Sequence, residues 1–598
     1  MQSCLFNTNR KTSAAIIPTL ETAEIDTAPT ASRLACWRQL EENWNRIQVG
    51  RQGSYSVERL MSLEQYCNTT SWTRVILVCV LTPIPALLVA VLLECLPLRP
   101  PSEGWAANWV FWLRLSLTHA MLSFGGSVLL TTFVPDLSFT FWKQIIVTLG
   151  VVVGLVGTCI LAAHIIGFPV PLMMQFGAIP GGIFTPIMLR LVLGSGVFAS
   201  GSPVKIHLKR YHRYFLAFMT LIGIYPLFKV LYDFIPVGYR GGVVLVLPIW
   251  RFAAKHFIVH ATRDLEDIVP ESVAFLVDFF SSLFVSVCMS SSGPFYLSFL
   301  FIASDLVQIV LEIRELSDNA NVLLQLIRQQ QADSTTKDSC TTKLLTTILV
   351  MIKESGAFQT KSLESVRLWA CLPQSLTSKQ TEHLLNLEAS GAYCRRYQVS
   401  SDNIERTPHQ AMTRNQNGSK RSVSIVPKLT HVRVSSSSKP PQKSSSQTAH
   451  TKGSNLVFTN HSEKSTKLVL QGLQLLFHCE YLELVEYVEC TTPIVYVVYK
   501  SILEQLPNVV YYPGGAGSWG IATVVNILVL AMLEVTSLVF LHHFLQRKFG
   551  FSAMHQLAFV LETDFYLVQM NLFAGILFLI PFELEHFGAD FSLRSNTH

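Results

Sequence analysis

The chain has 598 residues, of which 50% are hydrophobic and only 14% charged, and its formal net charge is +6. A soluble domain carries roughly a quarter charged residues, so these figures exclude a disordered polyelectrolyte, a small disulfide scaffold and an ordinary cytosolic enzyme. With a mean hydropathy of +0.37 and apolar residues gathered into long runs, they indicate an all-α polytopic membrane protein.

Residues 1–74 contain no apolar run of the signal-peptide kind and read as an N-terminal cytosolic region, partly disordered. Crossing the hydrocarbon as a helix takes ~20 apolar residues. Such stretches fall at 75–96, 109–133, 145–166, 171–193, 214–232, 236–252, 273–289 and 294–312. After a long polar gap, three more follow at 487–506, 518–545 and 555–581. The expectation is therefore about eleven spans, eight in a membrane domain at 75–312 and three in a second one at 467–598.

Lys and Arg in the short loops set the orientation of such a bundle. With the N-terminus in the cytosol, the inward loops hold Lys143, Lys205, Lys209, Arg210, Arg213, Arg251, Lys255, Arg263, Arg547 and Lys548. The outward loops hold only Arg99 and Arg240. This asymmetry predicts a cytosolic N-terminus and, by parity, a cytosolic central insert. Nothing in it specifies which membrane.

An ionisable side chain inside a span is costly, and it usually faces the bundle interior or a water path. Arg114 in the second span, Asp278 in the seventh and Asp305 in the eighth lie deepest and form a candidate intramembrane polar site. They are either two carboxylates of an ion path with an arginine countercharge, or buried pairs that fix the packing. Glu534, Glu562 and Asp564 are a weaker second set. Arg190, Lys229 and Asp233 lie near span ends, where snorkelling accounts for them.

Gly150, Gly154 and Gly157 in the third span, and Gly177 and Gly181 around Pro180 in the fourth, bring small residues to one face. Such a face lets helix backbones approach closely, which predicts a tight hairpin. The rival reading is a broken helix that lines a substrate path. Leu306, Ile309, Ile313, Leu316, Ala320, Leu323 and Ile327 recur at alternating spacings of three and four, a seam of about three heptads. The seam either joins two copies into a homo-oligomer or packs on its own chain.

Residues 313–395 read as cytosolic amphipathic helices, with Thr377 and Gln380 resembling a capping box. Residues 396–466 form a Ser-rich basic linker, too polar to build a core. Its charge suits contact with anionic lipid or a cytosolic protein. The twelve cysteines show no CxxC spacing. No GxSxG, P-loop or HExxH motif occurs, and His256, His260, His542 and His543 are too few for a di-iron site. Neither a metal, a cofactor, an enzyme activity nor a nucleic-acid partner is therefore expected.

Several phrases carry a resemblance. They are Tyr55 to Leu60, Leu96 to Trp105, Val277 to Ser281, Cys479 to Cys490 and Leu506 to Pro513. They resemble a large, lineage-expanded oomycete family of uncharacterised multi-pass transmembrane proteins, over most of 55–315 and 470–590. The resemblance implies a membrane bundle in two blocks and brings no catalytic or binding residue. The function expected is that of a transporter or channel for an ion or small solute. The alternative is a membrane scaffold or signalling anchor that works through its insert.

Overall fold

A computed structural model describes residue 39 and residues 48–588, except 135–136, 200–201, 203, 237–238, 240, 291–294, 334–343, 356–362, 390–392 and 395–450. Most of the Ser-rich linker thus lies outside the described residues. The first half comprises α1 (Val57–Thr69), α2 (Trp72–Leu81), α3 (Ile84–Glu94), α4 (Trp109–Phe133), α5 (Phe141–Ile166), α6 (Met173–Leu193), α7 (Val204–Phe234) and α8 (Gly241–Ala261). There follow α9 (Val269–Val273), α10 (Phe279–Ser290) and the long α11 (Phe295–Asp333). The insert holds α12 (Leu344–Ser355), α13 (Ser378–Ala389) and a two-stranded parallel pair, β1 (Leu363–Arg367) with β2 (Tyr393–Cys394). The chain returns through α14 (Thr451–Leu503), α15 (Ile521–Phe549), α16 (Ala553–Thr563) and α17 (Phe565–Ala574).

Eight segments among the described residues are long and apolar enough to cross a membrane: Trp72–Glu94, Trp109–Phe133, Phe141–Ile166, Met173–Leu193, Val204–Tyr232, Glu266–Ser290, Ile521–Phe549 and Phe565–Glu583. Each coincides with an expected span. The described residues of the other three expected spans are largely helical, in α8 from Gly241, in α11 from Phe295 and at the end of α14 up to Leu503, and these segments are not among the eight. In α14 the reason is charge: Glu480, Glu483, Glu486 and Glu489 interrupt the apolar run.

The apolar residues divide by surroundings. Val153, Ile165 and Leu191 on α5 and α6 are about 70% exposed, the disposition of side chains that meet lipid rather than protein. Glu266–Ser290, in contrast, is buried almost end to end and forms the axis of the bundle. It contains a π-helical turn at Ala274–Asp278, and a second such turn occupies Gly575–Leu579. Gly575, which opens the second turn, faces Phe279, the residue after the first: a Cβ there would lie 2.4 Å from the Phe279 ring. Turns of this type concentrate at functional sites.

The expected α5–α6 hairpin is present. Added Cβ atoms would meet Met188 at Gly150, Phe184 at 2.6 Å from Gly154, and Leu155 at 3.2 Å from Gly181. Gly177 has only an ordinary contact with Cys159, and Gly157 faces open space. The heptad seam is buried within the chain itself. Leu316, Ala320, Leu323 and Ile327 are at most 5% exposed, whereas Leu306 is 44% exposed. The side chain of Asn319 on this helix bonds His478 of α14 at 3.1 Å.

The insert is clamped onto the membrane core. Arg367 pairs with Asp267 at 2.9 Å and Glu266 at 3.1 Å. Glu58 of α1 accepts the Ala370 N–H at 2.7 Å and the Gln374 N–H at 3.3 Å. At the start of α13, Gln380 Oε1 accepts from the Thr377 N–H at 3.0 Å, the reach-back half of a capping box.

Candidate functional site

The residues Glu480, Glu483, Glu486 and Glu489 occur at every third position of α14. Residues three apart are neighbours on a helix, about 5–6 Å between Cβ atoms. The row rises roughly 13 Å along the axis and drifts by about 60° per step. All four are buried, at 1%, 0%, 4% and 6% exposure. Four acids inside a protein require partners or protons, and the four are treated differently.

At the lower end stands Arg59, positioned by α1, whose first turn is capped by Ser56 accepting the Arg59 N–H. Its guanidinium lies 2.8 Å from Glu271, 3.1 Å from Glu480 and 3.1 Å from Asp564. The Tyr55 hydroxyl donates to Glu480, and Gln556 donates to that hydroxyl at 2.9 Å. One cation thus holds three carboxylates. Burial pushes the Glu480 carboxyl up to about 7, against the pull of Arg59 and of the Tyr55 hydrogen bond.

Three residues on, Glu483 makes no hydrogen bond through either oxygen, and no cation pairs with it among the described residues. Its ionisable neighbours are Glu480 and Cys479 on its own helix, Cys67 on α1 and Cys79 on α2.

At the upper end Arg251 joins Glu489 to Asp278, the latter at 2.6 Å, and donates to Gln308 at 2.9 Å. Lys255 pairs with the same Asp278 at 2.9 Å and donates to the Tyr481 hydroxyl at 2.7 Å. Asp278 ends the π-helical turn, and that turn presents it to both cations. Pro493 has no N–H for the Glu489 carbonyl one turn below, and the Ser282 hydroxyl donates to that carbonyl at 3.4 Å. Beside this cluster is a cavity of about 40 Å³ lined by Arg251, Glu489, Glu534, Ser281, Ser304 and Gln308. That is room for roughly three waters. Ser281, 2% exposed, has a hydroxyl on this cavity without a hydrogen-bond partner among the described residues.

A third cluster lies about ten residues further along α14. Glu94 Oε1 accepts from Arg114, from Tyr499 at 2.8 Å and from Tyr512 at 2.8 Å. Glu94 Oε2 and Arg114 Nη1 have no hydrogen-bond partner among the described residues, and the two side chains border a cavity of about 30 Å³ with His119 and Phe578. Asn508 fastens this end by donating to the Glu94 and Leu96 carbonyls at 2.7 and 2.8 Å.

Arg114 and Asp278 therefore have separate partners, Glu94 for one and Arg251 with Lys255 for the other. Asp305 is on α11, and its side chain lies outside the described residues. Of the second set, Asp564 joins the Arg59 cluster and Glu534 lines the central cavity. Glu562 makes an exposed pair with Arg74 at 3.0 Å. The α14 glutamates and Arg59 were not singled out by the sequence reading. An acid at every third position amid Leu, Val and Tyr was the available signal. Among the described residues no group of three or more His, Cys, Asp or Glu has metal-binding geometry, and Cys67, Cys79, Cys95, Cys159, Cys479 and Cys490 are free thiols.

No protein-family model matches the chain, and no curated protein or solved structure matches it. The fold and interior define a multi-pass helical membrane protein in which one helix, α14, carries four buried acids and the cations that face them come from other helices.

Proposed function

We propose that the chain moves an ion or a small polar solute across its membrane, as a transporter or channel. The observation that carries this reading is the polar cavity beside Arg251, Glu489 and Asp278. A bundle whose only task is to hold itself together is more stable with apolar residues in such a place than with a hydrogen-bonded ion cluster. Intramembrane charges facing a hydrated void mark pathways. Pro248 and Pro493, which each remove one backbone donor from the ladder of their helices, and the π-helical turn that ends at Asp278 add local backbone irregularity of the kind transport sites use. The scaffold reading is left with the basic linker, since the seam Leu316–Ile327 is occupied by its own chain.

The test is uptake into proteoliposomes of the full chain, with radiolabelled rubidium, sodium, chloride and a panel of small polar solutes. Uptake of at least one above that of protein-free vesicles, and its loss in Arg251→Ala, is expected. Uptake at the protein-free level for all of them refutes the proposal.

A further inference from the structure

We infer that the row Glu480, Glu483, Glu486 and Glu489 is a proton path from the Arg59 cluster to the central cavity. This rests on the transport reading above and names its coupling ion. The argument begins at Glu483. A carboxylate that is 0% exposed, with neither oxygen hydrogen-bonded and no cation against it, is far more stable neutral than charged. Glu480 next to it adds like-charge repulsion to the ionised form. The thiols of Cys67, Cys79 and Cys479 that face it supply no positive charge. Glu483 therefore stores a proton between two groups that are differently held. Below it, Glu480 belongs to a hydrogen-bonded set with Tyr55, Gln556 and Arg59. Above it, Glu489 is ion-paired to Arg251 at the cavity.

The spacing selects a proton over a metal cation. Successive carboxyls are about 5–6 Å apart at Cβ and turn by about 60° at each step, so the four cannot converge on one sphere. A proton needs only neighbours. Each transfer is balanced: the O–H bond of Glu483 breaks, an O–H bond forms on Glu486, and Glu480 restores the proton to Glu483. When the proton reaches Glu489, Arg251 loses the charge of that carboxylate partner and keeps Asp278. Protonation at the top of the row is thereby sensed by the arginine that lines the cavity, which couples proton arrival to whatever the cavity holds.

The experiment uses the full chain in potassium-loaded vesicles. Valinomycin sets an inside-negative potential, and trapped pyranine reports the internal pH. Wild-type vesicles are expected to acidify faster than protein-free ones. Glu483→Gln, which has the shape of the neutral acid, should acidify at the protein-free rate, and Glu483→Asp should recover part of the flux. Infrared spectra give a second readout: the difference between wild type and Glu483→Gln at pH 7 should contain the carbonyl stretch of one protonated carboxylic acid. Wild-type proton flux in Glu483→Gln, or an ionised Glu483 at pH 7, overturns the inference. Wild-type protein that takes up another ion or solute but passes no protons also overturns it and leaves the transport reading standing. Protein that moves neither fails both.

Discussion

Arg59→Met tests the energetics of the charged interior. The guanidinium is 1% exposed and within 3.1 Å of three carboxylates that are at most 2% exposed. Removing it leaves three acids in a low-dielectric site without a countercharge. Breaking a buried ion pair on one side costs about 3–5 kcal/mol. The internal control is Arg74→Met. Its ion pair with Glu562 has a comparable length, 3.0 Å, but its side chains are 62% and 26% exposed. An exposed pair contributes about 0–1 kcal/mol. Distance alone would make the two variants equal, and burial makes them differ several-fold. Thermal unfolding in a mild detergent, followed by tryptophan fluorescence, separates them. Arg59→Met should lower the midpoint clearly and Arg74→Met should leave it nearly unchanged. Adding Glu271→Gln, Glu480→Gln and Asp564→Asn to Arg59→Met should recover most of the loss. Equal midpoints for the two single variants would refute the reasoning.

Gly154→Ala places a Cβ 2.6 Å from the Phe184 ring and should destabilise by about 1–3 kcal/mol. Gly157→Ala enters open space and should stabilise α5 by about 0.5–1 kcal/mol, read as the two midpoints moving apart. His586 is pushed down to about 4 by burial, with its hydrogen bond to the Arg99 carbonyl opposing. The unfolded chain takes up that proton near 6.5 while the folded one stays neutral until about 4. Stability should therefore hold above pH 6.5 and fall by about 3 kcal/mol between there and pH 4. His586→Gln should flatten that slope; an unchanged slope counts against the assignment. Asp267→Asn weakens the hold on Arg367 and on the Cys371 N–H at 2.5 Å. Trypsin should then cut within 356–395 faster than in wild type while the membrane helices stay intact; equal rates would place the clamp elsewhere.

Much of the fold was legible because the bilayer imposes length and polarity on each span. The eight apolar segments, the helix that runs on past residue 312 and the Gly150/Gly154 hairpin could all be read from residue type and spacing. The ion pairs were not. Arg114 and Asp278 were conspicuous because they stand in apolar surroundings. Their partners, Glu94 and Arg251, fall at the edges of the expected spans, where charge is ordinary. Arg59 precedes the first span by more than ten residues, and its partners are 212, 421 and 505 positions away. Separations of that size leave no local pattern. The heptad seam shows the converse limit: its period specifies an apolar stripe on α11 but is silent about which helix covers it.

On the transport reading, the charged cavity beside Arg251 and Glu489 lies on a conducting route through the bundle. The most direct measurement is the transient current of the reconstituted protein on a solid-supported membrane after a pH or solute jump. A current in wild type that is lost in Glu489→Gln and kept in Glu562→Gln is the predicted result. The same current in Glu489→Gln as in wild type, or no current above that of protein-free membranes in any of the three, would contradict it.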